Sequence, residues 1–162
     1  GQYENRIIIP SFGVEGYCNF FTARSWTKDN WPPYLNGPGN KDIIFNDLYV
    51  DWTTDVSLVE GVFDAMSIRR NAIPMFGKRP PKKLLMKIFQ KRCKTIYIAL
   101  DDDARKEAYM LGEFFSDFGI DSKVVNLPKD KDPNDLGFDP AYMFAPNQGI
   151  RGNFGIRYTF KK

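Results

Sequence analysis

The sequence predicts an α/β protein: a parallel sheet flanked by helices, preceded by a small basic subdomain that contains a β-hairpin. Three observations predict it. From Asp55 onward, short continuous apolar runs alternate with helix-like segments, the pattern of strands buried on both faces. Ahead of them, two apolar and aromatic stretches are split by a glycine-containing loop, the pattern of a hairpin. Carboxylates also cluster where apolar runs end. Glu60 and Asp64 follow Val56–Val59, and Asp101, Asp102 and Asp103 follow Thr95–Leu100.

Arg6 to Phe12 and Tyr17 to Trp26 are the two hairpin strands, joined through Gly13-Val14-Glu15-Gly16. Lys28 to Lys41 is rich in Pro, Gly and Asn and reads as a loop that carries Trp31 and Tyr34. Ile43-Ile44-Phe45 reads as a short strand or a turn. Val56–Val59 opens the parallel sheet. Val62 to Asn71 reads as a helix with Val62, Ala65, Met66 and Ile68 on its core face. Ala72 to Phe76 is the second strand, ending at Gly77.

Pro80-Pro81 opens a helix from Lys82 to Arg92, because proline is tolerated in a first turn. Leu84, Leu85, Ile88 and Phe89 mark its inner side, and Lys83, Lys87 and Lys91 share the other face. Thr95 to Leu100 is the third strand. Ala104 to Phe118 is a helix with Ala108, Leu111, Phe114 and Phe115 inward and Gly119 as its stop. Lys123 to Leu127 is the fourth strand, so the alternation is β-α-β-α-β-α-β. A charged loop follows from Pro128, and Phe154 to Phe160 reads as a closing strand. The expected partition is a β-rich basic subdomain over 1–54, the sheet domain over 55–138 and an extension over 139–162.

A length of 162 residues with 43% apolar content suits one domain with a small appendage. No run of 18 apolar residues exists, so no membrane partner and a cytoplasmic location are expected. Cys18 and Cys93 are too few for a disulfide framework or a zinc site, which fits a reducing compartment. Gly1-Gln2, and the abrupt start before Arg6-Ile7-Ile8-Ile9, lead us to expect a fragment of a longer protein. The chain has no histidine, which excludes a Ser-His-Asp triad, a histidine metal cluster and an imidazole base.

The net charge of +3 hides an asymmetry. From Arg69 to Lys94 there are ten Lys/Arg and no acid, whereas from Asp101 to Asp139 there are eleven acids and five bases. A basic arm beside an acidic pocket suits a polyanion held near a metal cluster. A solvated basic helix is the plainer alternative.

If the strands ending at Val59 and Leu100 are parallel neighbours, Glu60, Asp101 and Asp103 meet at one sheet edge. Three carboxylates with no buried cation repel one another, and a divalent metal resolves that repulsion. Residues i and i+2 share a face, so Asp101 and Asp103 pair while Asp102 points elsewhere or caps a helix. Asp64 lies one helical turn beyond Glu60, and Gly61 permits a tight turn. Asp132 and Asp135, in Asp132-Pro133-Asn134-Asp135, leave the same edge. The alternatives are local: dipole complementation by Glu60 and Asp64, helix capping by the aspartates, and an ordinary turn at 132–135. Arg6 and Arg24 flank the hairpin strands, and a guanidinium fork matches a phosphate. Phe20, Phe21, Trp26, Trp31 and Tyr34 either stack on bases or fill a core.

Glu60-Gly61-Val62-Phe63-Asp64-Ala65 followed by Asp101-Asp102-Asp103 resembles the Toprim domain of bacterial-type primases, topoisomerases and some nucleases, over about residues 55 to 138. That resemblance implies a Toprim-like, Rossmann-type parallel sheet. It also implies a central acidic triad of Glu60, Asp101 and Asp103 with Asp64 beside it. Asp132-Pro133-Asn134-Asp135-Leu136 is similar to the third acidic motif of primases.

Arg6-Ile7-Ile8-Ile9-Pro10, Gly16, Ala23-Arg24, Tyr34-Leu35-Asn36-Gly37-Pro38, Phe45 and Leu48-Tyr49 resemble the segment that precedes Toprim in bacterial-type replicative primases. Pro33 stands where such primases usually have lysine, and Asn46 where they often have a basic residue. Arg6, Arg24, Lys41, Arg79, Lys83 and Lys87 are the bases expected to hold nucleic acid or NTPs.

The implied activity is DNA-templated RNA primer synthesis, a nucleotidyl transfer with Mg²⁺ or Mn²⁺. Glu60, Asp101 and Asp103 would be catalytic, with Asp64, Asp132 and Asp135 as further metal ligands. The implied partners are a single-stranded DNA template, NTPs, the RNA primer and a replicative helicase reached through domains outside this chain. The compact form looks more like a phage primase than a cellular one. The alternatives are a Toprim nuclease acting on DNA or RNA, and a non-catalytic nucleic-acid-binding module.

Overall fold

A computed structural model describes residues 1–68 and 71–136. The strand expected at 154–160 and the extension over 139–162 lie outside the described residues.

Two sheets form the fold. The first is antiparallel, in the order β1 (Arg6–Phe12), β2 (Cys18–Ser25), β3 (Tyr34–Asn36). The hairpin is as expected, and Gly16 takes the left-handed conformation its turn needs, at φ 80°. β3 was not expected. Pro and Asn mark its segment as loop, yet Arg24 pairs with Tyr34 and Thr22 with Asn36. The open edge of β2 outweighs local propensity. Ile43–Phe45 is turn rather than strand, and a 3₁₀ turn follows at Asp47–Tyr49.

The second sheet is parallel, built from β4 (Val56–Val59), β5 (Ala72–Pro74), β6 (Thr95–Ala99) and β7 (Asp121–Val124) in the order β5-β4-β6-β7. Helices α1 (Val62–Ile68), α2 (Lys82–Lys91) and α3 (Arg105–Asp117) connect the strands, and α4 (Pro133–Leu136) follows. This is the predicted α/β class. Every residue of β4 is buried, as a strand covered on both faces must be. Val56, Leu58, Ile96, Ile98 and Leu100 pack with Leu84, Ile88 and Phe115 on one face. Val59 and Ala99 meet Leu127 and the apolar side of α1 on the other. With β4 and β6 at the sheet centre, their carboxyl ends lie side by side.

Several boundaries differ from expectation. β5 stops at Pro74 because Phe76 turns left-handed, at φ 59°. β7 begins at Asp121 rather than Lys123, because the turn at Gly119 returns the chain directly onto Thr95. Met66 is 53% exposed instead of inward. Helix α1 is rolled so that Asp64 and Ser67 are buried, a placement that an apolar period cannot register. Phe114 is at the rim, 37% exposed, in a ring cluster with Phe89 and Phe118. Gly112 takes the inner position, where a Cβ would come 3.3 Å from Val124.

The two sheets are joined by a small aromatic cluster. Phe76 packs edge-on against Phe20 at 5.4 Å and Phe45 at 5.7 Å, with Val62 beside them. Asn46 makes a second join. Its side chain accepts the Phe12 N–H at 3.0 Å, and its own N–H donates to the buried Ser11 hydroxyl at 2.9 Å.

Candidate metal centre

The register of β4 on β6 runs from Val56 beside Ile96 to Val59 beside Ala99. Continued by one residue, it sets Glu60 level with Leu100 and Asp101 just past it. The Asp101 N–H points at the Glu60 carboxylate, 3.4 Å from Oε1. One carboxylate oxygen from each of Glu60, Asp101 and Asp103 lies within 4.8 Å of the others. Among the described residues this is the group arranged so.

Burial is the main force raising the pKa of both Glu60 and Asp101. The Asp101 charge adds to the effect at Glu60, and the Asp132 and Asp103 charges add to it at Asp101. Asp101 Oδ1 is buried with no hydrogen-bond partner. An unpaired carboxylate oxygen in a crowded acidic site is costly to bury. Oxygen donors of this charge suit a hard divalent cation, so the residues present fit one.

Asp102 is turned out of the group, as expected, although a 3₁₀ turn over Asp102–Ala104 does this and not strand alternation. It pairs with Arg105 and accepts the Asp130 N–H at 3.2 Å, while Arg105 also reaches the Leu127 carbonyl at 3.2 Å. Asp102 therefore fastens the loop after β7 to the start of α3.

Asp64 lines the same cleft but stands outside the trio. It is buried and accepts N–H groups from Gly61, at 2.9 Å, and from Asn134. Burial foremost, with the charge of Asp101 behind it, raises its pKa to about 6. Asp132 and Asp135 form a reciprocal cap on α4. The Asp135 N–H donates to Asp132 at 2.6 Å, and that of Asp132 approaches Asp135 at 3.5 Å. Both line the cleft, and Asp135 also pairs with Lys131 at 3.7 Å.

The cleft has a volume of about 530 Å³. One wall is the acidic edge of the parallel sheet, and the other is the antiparallel sheet with the loop after it. Thr22, Arg24, Tyr34, Asn36 and Lys41 stand on that second wall. The Arg24 guanidinium lies against two rings set edge to face, 4.9 Å from Tyr34 and 4.6 Å from Phe63, and donates to the Tyr34 hydroxyl. Burial raises the Tyr34 pKa, partly opposed by the Arg24 charge.

Of the six predicted bases, Arg24 and Lys41 are thus brought to the carboxylates. Arg6 lies in a separate cleft of about 430 Å³ with Trp31, held by Gln2 at 3.1 Å and Asn30 at 3.3 Å. Lys87 pairs with Asp47 at 3.3 Å and sits over Trp52. Lys83 is exposed on α2, where its N–H is capped by Asp42 at 2.8 Å, and Arg79 is exposed in the loop before that helix.

Sequence reasoning missed Lys78 as an individual. Its ammonium lies 3.2 Å from Asp103 Oδ2, so the acidic group is not without a cation. The available signal was its position directly after Gly77, at the end of a strand on the same sheet edge.

Comparison with known proteins places this geometry. Residues 57–137 match the family model described as Toprim-like. A DNA primase of Clostridium acetobutylicum is 27% identical across a 151-residue alignment that covers 83% of this chain and 25% of the relative. The chain spans about a quarter of the length of the DNA primases it matches in sequence. A DNA primase domain from Pseudomonas aeruginosa is similar in structure at a TM-score of 0.67 and 22% identity, over 82% of this chain and 46% of that one. The DnaG primase catalytic domain bound to ssDNA is similar at 0.66 and 20%, over 82% and 47%. These likenesses show the fold, and the family match spans half of the sequence. The chain belongs to the Toprim-like family.

Proposed function

We propose that this chain is the catalytic core of a primase that makes RNA primers on a single-stranded DNA template. The observation that carries the reading is the convergence of one carboxylate oxygen from each of Glu60, Asp101 and Asp103, with Glu60 and Asp101 facing Arg24 and Lys41 across one cleft. The DNA primases among its relatives and the ssDNA-bound structural neighbour support the same reading.

In this reading Glu60, Asp101 and Asp103 hold Mg²⁺ or Mn²⁺. The bound ion would supply Lewis-acid stabilisation of charge developing on the phosphates. Arg24 is fixed by its two rings, so its fork meets a phosphate without first being ordered. Lys41 adds positive charge on the same wall. Asp132 and Asp135 are the candidate ligands for a second ion once their cap on α4 opens. Glu60 is the alternative candidate for taking the primer 3′-hydroxyl proton, in place of holding the ion, since burial raises its pKa and it sits at the same cleft edge.

The antiparallel sheet over 1–54 serves as the template-side subdomain and 55–138 as the metal-binding domain, with 139–162 as an extension. NTPs, the RNA primer and a replicative helicase complete the partners. The enzyme would work in the cytoplasm, that of a bacterial host if a phage encodes it.

The test is primer synthesis on single-stranded DNA with NTPs and Mg²⁺ or Mn²⁺, by the chain in its full-length context. Asp101→Asn combined with Asp103→Asn should abolish it. Synthesis retained by that variant would sink the assignment.

A further inference from the structure

We infer that Lys78 is the resident counter-cation of the carboxylate trio: it holds Asp103 until a divalent ion displaces it, then donates to a phosphate oxygen of the substrate. The inference rests on the function proposed above.

The position is built rather than incidental. Lys78 follows Phe76 and Gly77, whose φ angles are 59° and 149°. A left-handed phenylalanine is an uncommon backbone state that its surroundings must hold in place. Here the ring is wedged between Phe20 and Phe45, and its N–H donates to the Glu60 carbonyl at 2.9 Å. The peptide that delivers Lys78 is therefore tied to the peptide that delivers Glu60.

The charges set the order of events. Glu60, Asp101 and Asp103 carry three negative charges when ionised, and Lys78 offsets one of them at 3.2 Å from Asp103 Oδ2. Its charge also acts favourably on Glu60 and Asp101, where the neighbouring aspartates act against ionisation. An arriving divalent ion brings twice that charge to the same oxygens. Ammonium and ion then repel at close range, and the ammonium is the group free to leave. Its side chain is 36% exposed on a flexible four-carbon stem, and Asp103 is 77% exposed. The displaced lysine stays next to Gly77 of the cleft wall, where the phosphates of a nucleotide would compete for it with Glu107, whose charge also acts on it. A compact point charge suits that handover, because it demands no fixed plane of approach.

The test uses the full chain and two titrations by calorimetry: MnCl₂ alone, then inorganic tripolyphosphate at saturating Mn²⁺. Lys78→Met keeps the stem and removes the charge. It should bind Mn²⁺ about three- to fivefold more tightly than the unsubstituted chain, the effect of losing a competing exposed ion pair. It should bind tripolyphosphate about tenfold more weakly, the effect of losing a charged hydrogen bond. Lys78→Gln is measured in parallel and decides the matter if the methionine variant unfolds. Unchanged or weaker Mn²⁺ binding overturns the competition for Asp103, and unchanged tripolyphosphate binding overturns the handover. If the unsubstituted chain binds no Mn²⁺, or Asp101→Asn binds it equally well, the metal reading of the site fails and this inference falls with it. If Mn²⁺ binds and depends on Asp101 but not on Lys78, only the role of Lys78 fails.

Discussion

The backbone N–H of Gly61 donates to the Asp64 carboxylate at 2.9 Å, and a Cβ on Gly61 would lie 2.8 Å from that same oxygen. Glycine here is a condition of the contact. Gly61→Ala must push the carboxylate aside or bend the turn that carries Glu60. We expect a loss of about 1–3 kcal/mol in urea unfolding, the range for disturbing a buried charged hydrogen bond. We also expect weaker Mn²⁺ binding, because Glu60 is the preceding residue.

The buried Asp64 carboxyl has its pKa raised to about 6, from an ordinary value near 3.8. A raised acid favours folding while it is protonated. That contribution is complete below about pH 4 and is lost as pH rises through about 6. Glu60 and Asp101 are shifted in the same direction. Metal-free protein in EDTA should therefore lose on the order of 2 kcal/mol between pH 4.5 and pH 7.5 from Asp64 alone. Asp64→Asn should flatten that part of the slope, and unfolding curves at the two pH values measure it. A variant with the parent's full slope would show that burial of Asp64 does not set the trend.

Asp101 and Asp102 are neighbours with separate tasks. Asp101→Asn should reduce Mn²⁺ affinity by at least about tenfold, since the unpartnered oxygen and its charge belong to the trio. Asp102→Asn should change Mn²⁺ affinity by less than about twofold and destabilise the fold by about 1 kcal/mol, through loss of its ties to Arg105 and Asp130. Calorimetry and thermal unfolding on both variants separate the roles. Equal metal loss in the two would refute this division.

Asn46, where the resemblance led us to expect a base, has a structural task. It is left-handed at φ 55° and bonded to Phe12 and Ser11. Asn46→Lys should cost about 2 kcal/mol, by removing the side-chain acceptor of the Phe12 N–H and straining the left-handed backbone, while the backbone bond to Ser11 remains. No gain in affinity for single-stranded DNA should accompany it. Fluorescence anisotropy with a labelled oligonucleotide, beside a melting curve, reads both outcomes. Tighter binding with unchanged stability would count against the staple.

The parallel sheet and its acidic edge were legible because β4 and β6 are buried on both faces, and continuous apolar runs announce such strands. Asp102 does part from Asp101 and Asp103, but a 3₁₀ turn over Asp102–Ala104 separates them, not the alternation of an extended chain. What escaped was set by distant partners. β3 exists because β2 had a free edge, not because Tyr34–Asn36 favours extension. Met66 was misplaced because α1 turns two polar residues inward. Lys87 and Lys83 resemble each other on a helical wheel, yet Asp47 and Trp52 engage only Lys87. Lys78 was hidden in a basic stretch that, taken as bulk charge, gave no hint which lysine would face the carboxylates.

The aromatic wedge at Phe76 has a mechanical meaning. Its ring belongs to the seam between the sheets, while its amide belongs to the turn that presents Glu60. A shift of the hairpin sheet reaches the glutamate through one side chain and one peptide, so the seam between the sheets and the posture of the acidic edge are two ends of one short lever.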